Sequence, residues 1–228
     1  MLDGLEQLPP DSILGLAAAA RADTNPDKVD LTVGIYMDES GVCPVFNAVR
    51  LAQQALVEEE TSKAYLPPAG PEDFNTGMRS LVFGADSAAL SDARVSSISA
   101  PGGCGALRIG AEIVNAAKPG ARVWVSDPTW PVHIPLLGSV GLQFETYRYY
   151  DAATHGVDFD AMVDDLGRAQ AGDVVLLHGC CHYPCGADLS IDQWTTIADM
   201  AERQGFMPFV DVAYQGLGDG LDEDAAGI

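Results

Sequence analysis

Basic residues are scarce in this sequence. Its 228 residues include 12 lysines and arginines against 33 aspartates and glutamates, which gives a formal net charge of −21. A protein that binds nucleic acid or an anionic membrane needs a basic surface, so we expect neither partner. Lysine is especially rare and occurs only as Lys28, Lys63 and Lys118.

Long apolar segments are also missing. No apolar stretch reaches the roughly 18 residues that a membrane-spanning helix requires. Residues 1–6 are acidic and lack the basic start and apolar core of a signal peptide. We therefore expect a cytoplasmic protein. The apolar share of 47% and the charged share of 20% are typical of a packed globular domain.

Cysteine is present in an odd number and in an uneven distribution. Three of the five cysteines fall within six residues, and the full set is Cys43, Cys104, Cys180, Cys181 and Cys185. A secreted disulfide framework has an even number of cysteines at regular spacings. We interpret these five as reduced thiols.

Apolar runs alternate with helical stripes from residue 95 onward. The runs predict strands at residues 95–100, 123–125, 142–149, 174–177 and 206–210. A helix is predicted after the first of these strands, and another begins at Ser190, where Gln193 completes a capping-box pattern. This alternation predicts an α/β fold with a mostly parallel sheet and helices on both faces. Ligands of such sheets bind at the carboxyl ends of the strands.

The part of the chain before residue 95 is less regular. Its pattern predicts a helix at residues 13–22, a strand at 29–36 and a helix at 48–59. No internal repeat and no low-complexity segment is visible.

A glycine-rich segment, PGGCGALR at residues 101–108, follows a predicted strand and begins a helix. Glycines let an anion approach the backbone, and a helix N-terminus offers free N–H groups, so phosphate is a natural ligand. The segment fits neither the P-loop nor the dinucleotide-binding pattern. Taken alone, it is equally consistent with a tight turn.

Two further segments follow strands and carry groups suited to a planar heterocycle. Trp130 lies between two prolines and can offer a flat face, although a buried core tryptophan is the alternative. Asp211 ends the last predicted strand, with Tyr214 three residues later. A carboxylate and a phenol can bind a protonated ring nitrogen and a ring oxygen, or Asp211 can simply cap a helix.

The segment HGCCHYPCG at residues 178–186 contains two histidines and three cysteines, which suggests a metal site. Adjacent residues on a strand point to opposite faces, so we expect that Cys180 and Cys181 cannot share one ion. No metal is therefore expected. Tyr183–Pro184 is a candidate for a cis peptide bond.

Together these segments resemble the aspartate and aromatic-amino-acid aminotransferases, pyridoxal-phosphate enzymes of fold type I. The segments that carry the resemblance are APGGCGALRIGAE, WVSDPTWPVH, LLHGCCHYPCGADLSIDQW and FVDVAYQGLGDGLDEDAAG, with DSILGL, LTVGIYMDESGVCPV and TSKAYL upstream. The resemblance runs from about residue 10 to the last residue. It implies transfer of an amino group between an L-amino acid, either aspartate or an aromatic one, and a 2-oxo acid such as 2-oxoglutarate.

The resemblance also implies a domain organisation. Residues 1–12 would be an N-terminal arm, residues 13–45 the first part of a small domain, and residues 46–228 a large domain that binds the cofactor. The small domain would be incomplete, and members of the family form homodimers.

Most residues of the cofactor site can be assigned from the resemblance. It implies that Gly103 and Cys104 hold the phosphate, although threonine or serine is commoner than cysteine at this position. Trp130 would stack on the pyridine ring, Asp211 would pair with its nitrogen, and Tyr214 would bind the ring's phenolic oxygen.

Three more roles follow from the same resemblance. His133 would support Asp211 from behind. Tyr65 would reach the phosphate bound by the neighbouring subunit, and Gly34 would contact the substrate carboxylate through its backbone.

Two departures from the family pattern stand out. The family's asparagine, which also binds the ring oxygen, is replaced by Tyr183, so we expect weaker cofactor binding or altered electronic properties of the ring. The family's catalytic lysine lies beyond the Asp211–Tyr214 segment, and no lysine follows that segment here. We therefore expect an N-terminal fragment that is inactive alone.

Two alternatives remain open at this point. The first is a non-catalytic protein that keeps the aminotransferase fold and holds pyridoxal phosphate or pyridoxamine phosphate without a covalent bond. The second is a metal or redox protein built on residues 178–185.

Overall fold

A computed structural model of the chain describes residues 12–228. These residues form two compact units, of which one ends at Thr61 and the other comprises Ser62–Ile228. The predicted N-terminal arm, residues 1–12, lies outside the described residues except for Ser12, which begins the first helix.

The first unit contains two helices, α1 (Ser12–Ala22) and α2 (Asn47–Glu59). The strand predicted at residues 29–36 is wrong, since this segment has no strand assignment. A strand needs a hydrogen-bonded neighbour, and no segment of the described residues pairs with this one.

The second unit carries the remaining elements, which follow one another along the chain in this order: α3 (Glu72–Phe83), α4 (Ala88–Ser91), α5 (Gly102–Ala117), β1 (Arg122–Asp127), α6 (His133–Gly138), β2 (Gln143–Arg148), β3 (Tyr150–Asp151), β4 (Gly156–Val157), α7 (Phe159–Leu166), β5 (Val174–His178), α8 (Ile191–Gln204) and β6 (Met207–Asp211). Helix α8 begins with the predicted capping box, in which Ser190 and Gln193 bond each other's backbone N–H.

Four of the strands form a parallel sheet in the order β2–β1–β5–β6, and β3 and β4 form a separate hairpin. Because every strand of the sheet points the same way, Asp127, His178 and Asp211 end their strands at one edge. His178 and Asp211 are direct neighbours in the register.

The sheet is covered on both faces. Val123 and Val125 of β1 pack with Leu107 of α5 on one face, whereas Trp124 packs with Met162 of α7 and with α8 on the other. Alternate side chains of a strand point to opposite faces, which explains this division. The predicted α/β fold with helices on both faces is therefore confirmed.

The strand predicted at residues 95–100 is wrong. This segment contributes to no ladder, although the Ser99 N–H donates to the Ala69 carbonyl at 2.8 Å. It leads into α5, which begins at Gly102. Among residues 12–228, no helix combines the length and apolar character needed to cross a bilayer.

Candidate functional site

A cavity of about 160 Å³ opens at the carboxyl ends of β5 and β6. It is lined by Gly103, Leu107, Trp130, His178, Cys180, Cys181, Tyr183, Asp211, Ala213 and Tyr214. Four segments that are far apart in the sequence meet here, and five of the predicted site residues are among the lining residues. The carboxyl edge of a parallel sheet is where such folds bind ligands.

The N-terminus of α5 forms one side of the cavity. Pro101 is the N-cap residue and provides no side-chain hydrogen bond. The Gly102 N–H already donates to the Ala100 carbonyl at 2.8 Å, so Gly103 and Cys104 supply the next first-turn N–H groups for an anion. Gly103 lines the cavity, and the Cys104 side chain is exposed. Gly105 must be a glycine, because a Cβ there would lie 2.8 Å from the Pro101 ring. The segment is thus a tight turn whose residues 101–104 are exposed at the start of a helix.

Asp211 contacts a buried histidine, His133, as the family resemblance implies. Its Oδ2 lies 2.9 Å from Nε2 of His133, whose side chain is 0% exposed. The other nitrogen of that ring, Nδ1, lies 2.8 Å from Oγ1 of Thr129. Thr129 Oγ1 in turn lies 3.2 Å from Nε2 of His178. These contacts form one chain of hydrogen bonds that ends at the cavity.

The direction of this chain follows from its far end. The Tyr183 N–H donates to Nδ1 of His178, so the neutral His178 ring carries its hydrogen on Nε2 and donates it to Thr129. The Thr129 hydroxyl then donates to His133 Nδ1, and His133 Nε2 donates to Asp211. Asp211 is thereby fixed as an acceptor at this bond.

The charge state of the histidines agrees with this direction. Burial, together with the neighbouring rings of His182 and His133, lowers the pKa of His178 to about 2. Burial also lowers the pKa of His182 to about 4. His178 and His182 are therefore neutral near pH 7, and the neutral form of His178 is the one that donates to Thr129 in this chain.

The segment at residues 178–186 has a structural role that the sequence analysis missed. His182 stacks on His178 with ring centroids 4.0 Å apart, and Tyr149 stacks on its other face at 4.1 Å. His182 Nε2 contacts Ser126 and its Nδ1 contacts Cys185, so both nitrogens are used. Residues 12–228 contain no group of three or more side chains arranged to hold a metal ion.

The expectation that Cys180 and Cys181 point to opposite faces is wrong. Both line the cavity, because β5 already ends at His178 and Cys181 has a left-handed backbone with φ of +49°. Strand alternation therefore does not apply to them. Burial raises the pKa of Cys180 to about 12 and also raises that of Cys181. All five cysteines are free.

Two phenols face the cavity, those of Tyr183 and Tyr214. Burial raises the pKa of Tyr214, and Tyr183, Asp211 and Cys181 raise it further. The phenol is therefore protonated and able to donate.

The Tyr183–Pro184 peptide bond is cis, as predicted, and Asp127–Pro128 is also cis.

Four of the nine predicted site residues are not among those that line this cavity: Cys104 and His133, described above, and Tyr65 and Gly34. The Tyr65 side chain is fully exposed in the second unit, and Gly34 belongs to the first unit. Neither a lysine nor an arginine is among the residues that line the cavity.

His178 and Thr129 are site residues that sequence reasoning left without a role. The available signal was their position at the carboxyl ends of strands, since His178 is the last residue of β5 and Thr129 follows β1 by two residues.

Comparison with known proteins gives the family. Residues 26–228 match the family described as aminotransferase class I and II. The aromatic-amino-acid aminotransferase of Paracoccus denitrificans is 47% identical over 227 residues, which are 100% of this chain and 57% of that protein. The aspartate aminotransferase of Escherichia coli K12 is 46% identical over 228 residues, 100% of this chain and 58% of that protein.

Solved structures agree with the sequence matches. An aromatic amino acid aminotransferase with 3-indolebutyric acid superposes with a TM-score of 0.92 at 47% identity, covering 100% of this chain and 57% of the other. One from Burkholderia pseudomallei, covalently bound to pyridoxal phosphate, gives 0.93 at 41% identity with the same coverage. The chain thus spans a little over half the length of these relatives. It belongs to the class I and II aminotransferase family.

Proposed function

We propose that the protein to which this chain belongs is an aminotransferase with pyridoxal 5′-phosphate as its cofactor. Its substrates are an L-amino acid, aspartate or an aromatic one, and a 2-oxo acid such as 2-oxoglutarate. The observation that carries the proposal is the convergence of Trp130, Asp211, Tyr214 and the α5 N-terminus on one cavity. The names of the relatives support an enzyme over a non-catalytic binding protein.

The lining residues fit this cofactor in their chemistry. The α5 N-terminus at Gly103 and Cys104 suits a phosphate, and the indole of Trp130 suits a flat ring. Asp211 suits a protonated ring nitrogen, and the protonated phenol of Tyr214 suits the ring oxygen. Tyr183 adds a second phenol to the same cavity, where the family has the smaller amide of an asparagine.

When bound, the cofactor supplies a ring that withdraws electrons from the reacting carbon. Asp211 is the residue that tunes this property, because a carboxylate beside the ring nitrogen favours its protonated form. His133 holds Asp211 by donating to Oδ2 at 2.9 Å, and Thr129 and His178 keep His133 in the donating tautomer. Burial raises the pKa of Cys180 and of Cys181, which favours the protonated thiol over the nucleophilic thiolate at both positions.

The remaining roles are part of the same proposal. Tyr65 reaches the phosphate of a second subunit in a homodimer, and Gly34 binds the substrate carboxylate through its backbone. Residues 13–45 belong to a small domain and residues 46–228 to the large cofactor domain. The protein acts in the cytoplasm. We assign the catalytic lysine to none of Lys28, Lys63 and Lys118, since none of them lines the cavity.

Titration of the chain with pyridoxal 5′-phosphate, followed by absorbance, tests the proposal. Asp211→Asn keeps the shape but removes the charge, and we expect its Kd to rise on the order of tenfold or more. Asp86→Asn is the control, because it removes an exposed carboxylate on another surface. Equal affinity of the Asp211→Asn variant and the unchanged chain would refute the assigned role.

The phosphate position has its own test in the exposed thiols. Cys104 lies at the α5 N-terminus, and Cys43 is an exposed thiol elsewhere in the chain that serves as the internal reference. Pyridoxal phosphate should slow alkylation of Cys104 and leave Cys43 unchanged, whereas pyridoxal without phosphate should protect neither. Unaltered reaction of Cys104 at saturating cofactor would show that the phosphate binds elsewhere.

A further inference from the structure

A buried carboxylate lies behind the cavity in the turn that follows β6. Asp224 is 7% exposed, and three backbone amides donate to it. The N–H groups of Gly216 and Gly218 lie 2.7 and 3.0 Å from Oδ2, and that of Asp219 lies 2.8 Å from Oδ1. Successive amides that converge in this way form a concave anion-binding cradle. The chain fills this cradle with its own side chain.

The charge of Asp224 is stabilised in this position. Burial raises the pKa of the carboxyl, but the backbone hydrogen bonds from Asp219, Gly218 and Gly216 outweigh burial and leave the pKa below its usual value. The cradle is closely fitted, since a Cβ at Gly218 would lie 2.7 Å from Asp224 Oδ1. Hydrogen bonds to a charged acceptor are stronger than neutral ones.

The cradle is joined to two walls of the cavity. Leu217, between two of the donor residues, donates its N–H to the carbonyl of Tyr214 at 2.9 Å. The turn held by Asp224 therefore begins at the residue whose phenol lines the cavity. On the other side, a Cβ at Gly218 would lie 3.2 Å from Cys181 Sγ, which belongs to the opposite wall.

We propose that Asp224 is a positioning residue for the cavity, because its carboxylate closes the amide cradle of Gly216, Gly218 and Asp219 and thereby fixes the place of Tyr214. This inference depends on the proposed function in one respect, the identity of the ligand that Tyr214 contacts. The fixed position of Tyr214 itself is a property of the chain without cofactor.

The first test removes the carboxylate and then supplies it from solution. Asp224→Gly deletes the atoms that acetate contains, so acetate can occupy the empty cradle. The chain carries 3-fluorotyrosine, and the Tyr214 resonance is assigned by Tyr214→Phe. We expect this ¹⁹F resonance to shift or broaden in Asp224→Gly and to return with added acetate but not with sodium chloride of equal ionic strength. Asp222→Gly, an exposed carboxylate two residues away, is the matched control and should leave the resonance unchanged.

A second variant disturbs the same contact from the other side. Gly218→Ala pushes against Asp224 Oδ1 without changing the carboxylate, so it should shift the Tyr214 resonance and should not respond to acetate. It decides the question if Asp224→Gly does not fold. The proposal is overturned if the Tyr214 resonance is unchanged in folded Asp224→Gly or folded Gly218→Ala. It is also overturned if acetate fails to restore the resonance in Asp224→Gly.

Cofactor titration of the same variants separates this inference from the proposed function. We expect the Kd of pyridoxal phosphate to rise roughly tenfold in Asp224→Gly and to recover with acetate. If the unchanged chain does not bind the cofactor at all, the proposed function fails, and the ¹⁹F result still judges Asp224. If the unchanged chain binds the cofactor and Asp224→Gly binds it with the same Kd, only the role of Asp224 fails.

Discussion

Replacement of Thr129 by valine tests the hydrogen-bond chain behind Asp211. The Thr129 hydroxyl accepts from His178 Nε2 at 3.2 Å and donates to His133 Nδ1 at 2.8 Å. Valine has nearly the same shape and no polar group, so the variant removes two hydrogen bonds and creates almost no cavity. His178 Nε2 loses its acceptor, and His133 Nδ1 loses its donor.

The expected cost can be worked from burial. The His133 ring is 0% exposed, so water cannot replace the lost partner. A buried polar atom left without a hydrogen bond costs about 1–3 kcal/mol. The two atoms here are His133 Nδ1, which is fully buried, and His178 Nε2, whose ring lines the cavity. Together they give a cost of about 3 kcal/mol. For a domain of this size that corresponds to a fall in Tm of about 10 °C.

Thermal and urea unfolding followed by circular dichroism measure this effect. Thr129→Ser is the matched control, since it keeps the hydroxyl and loses only a methyl group. We expect the serine variant to stay within about 1 kcal/mol of the unchanged chain. If the valine and serine variants are equally stable, the hydroxyl does not join the two rings and the assigned tautomers are wrong.

Three further predictions concern other parts of the structure. Tyr183→Asn should tighten binding of pyridoxal phosphate about fivefold, because the smaller amide frees space and offers a donor; unchanged affinity and absorbance would contradict the expected effect of Tyr183. The lowered pKa values of His178 (about 2) and His182 (about 4) mean that the unfolded chain takes up two protons near pH 6.5 that the folded chain does not. Stability present above pH 6.5 should therefore fall as the pH drops towards 4, with a slope of at most about 2.7 kcal/mol per pH unit, and denaturant titrations at pH 7.5, 6 and 5 that show no loss would refute this. Gly110→Ala should destabilise the fold by about 1–3 kcal/mol because its Cβ would lie 2.7 Å from a phenyl ring of β6, whereas Gly77→Ala, with open space around it, should stabilise α3 by about 0.5–1 kcal/mol; urea midpoints of the two variants check both signs.

Local patterns in the sequence were sufficient for most of the sheet. The apolar runs that became β1, β2, β5 and β6 all have neighbours in the ladder, and the capping box at Ser190 begins α8 as predicted. The runs at residues 29–36 and 95–100 have the same local character but no strand beside them. Apolar character is a property of the segment, whereas a strand is a property of a pair of segments.

The sequence by itself determined the fold class, from the alternation of apolar runs and helical stripes, and it determined the family, from several short motifs in order. Through that resemblance it also identified five of the ten residues that line the cavity. Only the tertiary structure decided the hydrogen-bond chain, since Thr129 and His178 are 49 residues apart and His133 and Asp211 are 78 apart. It also decided that Cys180 and Cys181 both line the cavity. Both follow the end of β5, and Cys181 has a left-handed backbone, so the alternation of side chains along a strand does not apply to them. A hydrogen bond depends on distances of a few tenths of an ångström, and such distances are set by how the strands and helices pack rather than by the order of residues along the chain.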